Sequence, residues 1–445
     1  MSRQLEDEAA AKRLFNQRLF VIGSMRLIDS MNVTMIMPYG LELMSMLLNQ
    51  DKGSAEVGTA FAWFIGLYSL CEIVFSPLWG MAADNIGRRP VLLIGIAGTA
   101  IAPILLGLGQ SLPLVFAFRA LGGFFCGNQA ILRTYLGEIA DKNNEARAFS
   151  ILVLCFVVGM MAGPFLGGLA FPARWAPQVF EGTLFAQHPV LLPNLLFGAS
   201  TAIVCIIGFL WLEETLPSKQ VDHVDLESED SDASGVTRCC YSMTVLQAIL
   251  AFCGLAGAVE AQNTLVVLLW QYPHSQGGFG FSPQQVSVVQ VSGGLGPIVC
   301  HLTFLQKLVR KLGFLKVLGL GFLINSCSYS LYPVYALFAD PANYGLWRYV
   351  ILGLAEFVGM SGTFLLFSSV FVFMNRASEG LNRATVNGWA NSSRALSRAI
   401  SPLVATQLLQ TFSALPLGGY VPFYIITACL GIFFALAWTG LRKLN

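Results

Sequence analysis

The sequence predicts an all-α membrane protein, and composition, hydropathy and the arrangement of its charges each point there. Apolar residues make up 55% of the 445-residue chain and charged residues only 11%, with a mean hydropathy of +0.65. A water-facing globular domain carries about 25% charged residues. This chain has too few to cover a soluble surface.

A membrane helix needs roughly 20 apolar residues, and the apolar runs resolve into twelve candidate spans. They cover about 19–48, 57–83, 91–109, 112–136, 147–171, 193–213, 244–270, 284–306, 314–336, 346–374, 386–410 and 421–441. Residues 1–18 form a polar cytoplasmic arm containing Glu6, Asp7, Glu8, Lys12, Arg13 and Arg18. The run that follows is too long for the core of a cleavable signal peptide, so the first span is expected to serve as its own insertion signal.

Orientation follows from Lys and Arg, which are retained on the cytoplasmic side. With the N-terminus inside, eighteen of the 26 basic residues fall in cytoplasmic segments and only Lys52 and Arg174 fall outside. The other six, Arg26, Arg119, Arg133, Arg348, Arg394 and Arg398, lie within or at the edge of spans. Both termini are therefore expected to be cytoplasmic.

Composition breaks once more between residues 214 and 243, where Leu216-Pro217 ends the sixth span and an acidic, Ser-containing tract runs from Asp222 to Asp232. This reads as a cytoplasmic linker. It separates an N-terminal six-helix bundle at 19–213 from a C-terminal one at 244–441, followed by a short cytoplasmic tail at 442–445. Ser228 and Ser231 fit acid-directed phosphorylation as well as a plain solvated spacer. Eight of the ten cysteines lie inside apolar runs, where a thiol packs as a small hydrophobe; Cys239 and Cys240, just before the seventh span, are candidates for palmitoylation.

Two motifs stand out. Gly80-Met81-Ala82-Ala83-Asp84-Asn85-Ile86-Gly87-Arg88-Arg89 concentrates charge in a short loop between the second and third spans. Gly159-Met160-Met161-Ala162-Gly163-Pro164-Phe165-Leu166-Gly167-Gly168 places glycines four apart in the fifth span, so that a neighbouring helix can approach closely, and adds a proline that weakens the helix there. The second half echoes the first weakly: Pro402 stands where Pro164 does, and Gln306–Gly313 takes the slot of the Asp84 loop.

Both motifs resemble signatures of the major facilitator superfamily, the loop as G-x-x-x-D-x-x-G-R-R/K and the fifth span as the antiporter pattern G-x-x-x-G-P-x-x-G-G. From Arg26 to Pro402 the chain also resembles the zinc-induced facilitator-like and fungal drug-efflux-like branch of the drug:proton antiporters. Arg26-x-x-Asp29-x-x-x-x-Thr34-x-x-x-Pro38-Tyr39, Leu191-Leu192-Pro193-Asn194-Leu195, Glu213-Glu214-Thr215-Leu216-Pro217, Thr385-Val386-Asn387-Gly388 and Arg398–Pro402 carry that likeness. The Cys- and His-rich loops of zinc-handling members are absent, and the four histidines, at 188, 223, 274 and 301, are not at ligand spacing. A zinc substrate is not supported.

The resemblance implies two six-helix bundles, the major facilitator fold, with the first, fourth, seventh and tenth spans lining the path. Ionisable residues at membrane depth are costly and tend to face a cavity or a partner. Asp29, Glu356, Glu260 and Glu72 are the candidate proton carriers, with Arg26 and Arg119 as candidate partners. Arg119 heads a sequence similar to the family's helix-four R-x-x-x-G, with Gly122 where a Gln is usual. The competing reading of Asp29 with Arg26 is a static ion pair that holds helices in register. Asp84, Arg88 and Arg89, with Gly80 and Gly87 shaping the loop and Glu138 and Arg147 as partners, are implied to latch the cytoplasmic side, while Gly159, Gly163, Pro164, Gly167 and Gly168 are implied to form a pivot. Tyr39, Asn128, Gln129, Gln262, Asn263 and Trp389 are candidate cavity residues. Trp270 and Tyr272 read as interface anchors.

The expected function is secondary active transport by alternating access, a small organic solute or drug moving against protons. A proton-independent facilitator of an ion or metabolite, and a non-transporting receptor or scaffold on the same fold, are the alternatives. No paired carboxylates, nucleophile turn or phosphate-binding loop suggests an enzyme, and no cofactor or metal site is expected. The partners expected are a small-molecule substrate, protons and the lipid bilayer, without nucleic acid, for a chain that works as a monomer. The plasma membrane and a vacuolar or other organelle membrane fit equally.

Overall fold

A computed structural model describes residues 2–140, 144–215, 243–336, 345–377, 383–412 and 418–444. Most of the 214–243 linker, with Ser228, Ser231, Cys239 and Cys240, lies outside the described residues, as does the Arg147 side chain. Every regular element among the described residues is helical.

In chain order the helices are α1 (Ser2–Thr34), α2 (Gly40–Leu48), α3 (Ala55–Ile86), α4 (Arg88–Leu108), α5 (Leu112–Phe124), α6 (Asn128–Ile139) and α7 (Glu145–Gly167). Three short turns follow, α8 (Pro172–Trp175), α9 (Pro177–Phe180) and α10 (Leu184–Gln187), and then α11 (Leu191–Trp211). Beyond the linker come α12 (Met243–Gln271), α13 (Pro283–Val299), a π-helical turn (Cys300–Leu305), α14 (Gln306–Ser330), α15 (Tyr332–Ala336), α16 (Trp347–Ala377), α17 (Arg383–Phe412) and α18 (Val421–Leu444).

Seven helical stretches among the described residues are long and apolar enough to cross a membrane. One of them, Pro283–Ser330, is 48 residues long. At 1.5 Å per residue it would run about 70 Å if straight, more than twice the hydrocarbon thickness. It is not straight: Gly313 breaks it at φ 76°, ψ 161°. The Asp84 loop is interrupted in the same way by Gly87, at φ 120°, ψ 155°. The weak sequence echo between the two loops thus has a backbone counterpart, a positive φ that favours glycine.

Two predicted spans are broken. The first divides at Thr34–Gly40, where Pro38 has no N–H to donate and Met37 N bonds to Thr34 O instead. The fourth divides at Phe125–Gly127 behind the Gly122-Gly123 pair. There the Trp79 indole donates to the Phe124 carbonyl at 2.6 Å, satisfying a group that lipid could not.

The chain forms two compact units. The first comprises Met1–Gln50, Leu70–Ser218 and Pro283–Ser287; the second comprises Asp51–Ser69, Lys219–Ser282 and Val288–Asn445. In the first unit, α7 presents its motif glycines to α1. A Cβ on Gly163 would stand 2.7 Å from Met31 O and 3.0 Å from Met35 N, and those on Gly159 and Gly167 would strike Leu27 O and Met35 O. Gly168 faces elsewhere, 2.5 Å from Ser287 Cβ, whose hydroxyl donates to Pro164 O at 2.7 Å. In the second unit Gly362 approaches Asn325 N and Gly321 approaches Leu366 N in the same manner, joining α14 to α16. Such backbone-to-backbone approach is how apolar helices cohere in lipid, where no hydrophobic force drives them together.

Trp270 and Tyr272 correct one expectation. Both are buried, Trp270 to 1% exposure, and they pack inside the second unit rather than at the interface. Asn32, although in a glycosylation-like triplet, is buried in α1.

The glycine seam has a measurable consequence. Gly163→Ala is expected to destabilise the protein by about 1–3 kcal/mol through backbone overpacking, whereas Gly80→Ala, where nothing lies within 4 Å, should stay within about 0.5 kcal/mol. Thermal unfolding of both variants in one detergent checks the difference; equal melting points would remove the seam as a packing constraint.

Candidate functional site

Close packing of α1 on α7 fixes which face of α1 turns inward, and that face is polar. Arg26, Asp29, Ser30, Asn32 and Tyr39 are all buried, Asp29 to 6% exposure. The Arg26 guanidinium lies over the Phe156 ring of α7, 4.5 Å from its centroid, a cation–π arrangement whose value rises with desolvation. Arg26 and Glu72 of α3 are the charged groups that act on Asp29. One Asp29 oxygen, Oδ2, is buried with no hydrogen-bond partner among the described residues. Three of the predicted ionisable residues therefore meet in one place.

Arg119 is brought near from α5. It is buried and lines a small recess together with Asn32, Met35, Phe118 and Asn194. Arg119 also acts on Tyr39 and on Cys71. Asn194 ties α11 to the end of the first span: its Nδ2 donates to Val190 O at 2.7 Å and meets the Tyr39 hydroxyl at 3.3 Å. Asn128 is buried at the start of α6, fitted against Gly95 of α4. The helix breaks at Thr34–Gly40 and Phe125–Gly127 flank this seam, and interrupted helices are where membrane proteins expose backbone to a ligand or ion.

Other predicted site residues are placed apart from this cluster. In the second unit Glu260 and Asn263 are half-buried, while Gln262 is fully buried and donates to Thr427 at 3.3 Å. Glu356 is buried with Tyr332. Gln129 is half-buried on α6. Trp389 is 56% exposed on α17.

The charged loop forms a denser network than its motif implies. Arg88 pairs with Asp84 one turn away and with Glu138 of α6 at 3.2 Å. Its backbone N–H donates to Glu214 Oε1 at 2.8 Å, and that of Arg89 to Glu214 Oε2 at 3.1 Å. Glu214 is thus an acidic cap on the N-terminus of α4, where unsatisfied amides and the helix dipole both favour a carboxylate. Gly87 is required beside it, because a Cβ there would strike the Glu214 carboxylate. Arg89 reaches Phe209 O at 2.7 Å, Thr215 bonds to Glu138, and Glu213 pairs with Arg18 of α1. Glu213, Glu214 and Arg18 were not among the expected latch partners. The acidic pair directly after the sixth span, opposite a loop rich in arginine, was the available signal. On the other face, Glu42 of α2 is buried against Arg174, 2.6 Å away, whose guanidinium also lies 4.5 Å from the Phe171 centroid.

Comparison with known proteins agrees with this architecture. The sequence model described as Major Facilitator Superfamily matches residues 19–402. The chain belongs to that superfamily. It is 25% identical over 437 residues to Protein ZINC INDUCED FACILITATOR-LIKE 1 of Arabidopsis thaliana, covering 93% of this chain and 89% of the relative. It is 25% identical over 416 residues to the efflux pump azaK of Aspergillus niger, covering 93% and 85%. The crystal structure of the human organic anion transporter MFSD10 superposes with a TM-score of 0.62 at 18% identity, over 95% of this chain and 99% of that one. The likeness to the zinc-induced facilitator-like and fungal efflux branch stands with these relatives. The chain is an integral, multi-pass membrane protein of a transporter family.

The Glu214 cap separates two kinds of contact in the loop. Glu214→Gln should cost about 1 kcal/mol, as loss of a helix cap and its dipole interaction does, while Asp84→Asn, whose side chain is 66% exposed, should cost less than about 0.5 kcal/mol. Thermal melts of the two variants test this order, and a larger loss for Asp84→Asn would reverse it.

Proposed function

We propose that this protein is a secondary active transporter that exchanges a small organic solute for protons by alternating access. Its topology in this reading is twelve spans, in two six-helix bundles, with both termini in the cytoplasm. The observation that carries the proposal is the buried Arg26–Asp29–Glu72 group at membrane depth, with one Asp29 oxygen lacking a hydrogen bond. Two acids and a base acting on one another, away from water, cannot all keep full charge compensation in one arrangement. A proton taken up by Asp29 relieves its repulsion with Glu72 and frees Arg26; loss of that proton restores the Arg26 pairing. Such a group has two states that differ by one proton, which is what coupling to a gradient requires.

The mixed chemistry beside Arg119, with Asn32 and Asn194 among apolar side chains, supports an amphipathic organic solute. The relatives carry this in the same direction, since efflux pumps are among them. The glycine seam between α1 and α7 serves as the pivot and the Asp84–Arg88–Glu138–Glu214 network as a cytoplasmic latch. A chain with these parts is expected to work as a monomer in the plasma membrane or an organelle membrane.

Proteoliposomes loaded with a pH-sensitive dye and challenged with a panel of organic cations and anions test the exchange. At least one compound should move protons in the wild type, and Asp29→Asn should reduce that flux at least tenfold while the protein stays folded. Substrate movement without a proton signal in either protein would instead make the chain a facilitator and Asp29 a structural ion-pair member.

A further inference from the structure

The segment around Gly313 takes in the second half the slot that the Asp84 loop takes in the first, yet its charges are all of one sign. Lys307, Arg310, Lys311 and Lys316 fall within ten residues, and the chain from Pro283 to Ser330 contains no aspartate or glutamate. In the first half the corresponding arginines meet Asp84, Glu138 and Glu214. Here all four bases are exposed, and among the described residues none has an ion-pair or hydrogen-bond partner. The neighbouring α16 contains one acid, Glu356, and it stands against Gly293, about 20 Å along the helix from Lys307.

Packing decides which way these bases point. Leu305, Leu308 and Val309 lie against the buried cluster of Cys300, Val317 and Leu365, which fixes the inner face of the segment. Residues three and four apart share one side of a helix, so Lys307, Arg310 and Lys311 share the opposite, outer side. Like charges at that spacing destabilise a helix. The dipole at the end of the helix that stops at Gly313 offsets only roughly half a charge, against three. Just past the break, the Arg376 guanidinium at the end of α16 lies 5.8 Å from the Phe314 ring centroid and brings a further base to the same edge.

Length sets the depth of this face. From Pro283 to Leu312, before Gly313 breaks it, the helix runs about 45 Å if straight, which matches the roughly 40–45 Å of a bilayer with its headgroup layers. With Pro283 at one surface, Lys307 to Lys311 lie about 36–43 Å along the helix, at the level of the opposite headgroups rather than of the hydrocarbon. Exposed Leu302 and Phe304 precede the bases and exposed Leu312 follows them, so the charged ends rise from an apolar border, as snorkelling side chains do. Retention of Lys and Arg on one side of a membrane accounts for the side on which these bases lie. It does not call for three of them on one helical face without an acid.

We infer that the face formed by Lys307, Arg310, Lys311 and Lys316 is a binding site for the phosphate-bearing headgroups of anionic lipids in the surrounding leaflet. The occupant is a lipid rather than a soluble anion because the bases stand at headgroup depth beside apolar side chains that acyl chains would cover. Arg310 can take a phosphate through two parallel hydrogen bonds, while the lysines act as point charges. Lys316 lies beyond Gly313, where the surrounding space is open, so a headgroup neutralised from both sides joins the two helices across their break. The site stands whether or not protons are exchanged. In the topology proposed above its leaflet is the cytoplasmic one, where anionic lipid concentrates.

Native mass spectrometry of the full chain, purified in detergent and titrated with phosphatidylserine, phosphatidylcholine or inorganic phosphate, tests the site. The wild type should retain phosphatidylserine in preference to phosphatidylcholine. A variant combining Lys307→Gln, Arg310→Gln, Lys311→Gln and Lys316→Gln should lose that preference. Each single change should weaken phosphatidylserine retention about fivefold, the equivalent of about 1 kcal/mol per base at a membrane surface; the single variants keep the test open if the combined one fails to fold. Lys307→Arg with Lys311→Arg and Lys316→Arg, which keeps the charge, should bind as the wild type does. Arg442→Gln with Lys443→Gln, at the end of α18, should leave the preference unchanged. Equal retention of the two lipids by the wild type would overturn the proposal, as would a preference that survives in the combined variant. Inorganic phosphate bound by the wild type without any lipid preference would make this a soluble-anion site, and an equal loss in the α18 variant would reduce the effect to net charge; either result also removes the lipid site.

Discussion

The close approach of α1 to α7 is the constraint on which the N-terminal unit depends. Lipid offers no hydrophobic drive for helices to associate and no water to satisfy a polar group. A helix carrying Arg26, Asp29, Asn32 and Tyr39 can sit in it only if that face is covered on all sides. Gly159, Gly163 and Gly167 remove the side chains that would hold α7 away from α1, and the backbones meet. Asp29, Asn32 and Tyr39 are thereby brought beside Glu72, Arg119 and Asn194 of α3, α5 and α11, while Arg26 lies over Phe156 of α7. A pattern that in the sequence suggested only a pivot thus also sets the orientation of the charged residues.

The same rule governs the places where helices stop being regular. Each break exposes carbonyls and amides that need partners within the protein. The Phe124 carbonyl is met by Trp79, the α4 amides by Glu214, and the Asn194 amide bridges Val190 O and Tyr39. Glycine also takes an otherwise costly positive φ at Gly87, where a side chain would strike the Glu214 carboxylate, and at Gly313, where the space around it is open. Gly87 and Gly313 share a backbone shape although the residues around them do not match.

Much of this was legible in the sequence. Apolar run length located most helices to within a few residues, because desolvating the backbone allows little else in a bilayer, but α1 already begins at Ser2 and two of the runs divide. The charged loop and the glycine motif were visible because their residue types are rare among apolar spans. What escaped notice depends on pairing across long sequence distances. Glu214 follows the sixth span and reads as the start of a linker; its role as the cap of α4 exists only once residues more than a hundred positions apart meet. Trp270 shows the opposite failure. An indole near a helix end is ordinarily an interface anchor, and nothing local indicates that its position faces inward. Tyr332 gave no signal either, since a tyrosine matters to Glu356 only through the fold of α14 and α15.

In the N-terminal unit several polar assemblies have a member on or beside the first span. Arg18 reaches the Glu213 carboxylate beside the loop network, Arg26 and Asp29 hold the buried charges, Tyr39 joins Asn194, and Glu42 just beyond the break pairs with Arg174. The ion pairs at the two ends are partly exposed, so each contributes about 0–1 kcal/mol, while a change of charge at the buried centre is worth several. The buried centre therefore decides the position of the helix, and the exposed pairs only bias it. If Asp29 changes protonation in the proposed exchange, its effect on Arg26 and Glu72 acts on a helix whose ends are held only by weak pairs. Such a helix can shift between two positions without a large barrier from its own anchors. Strong anchoring at Arg18 or Glu42 would have made the protein more stable and the exchange slower.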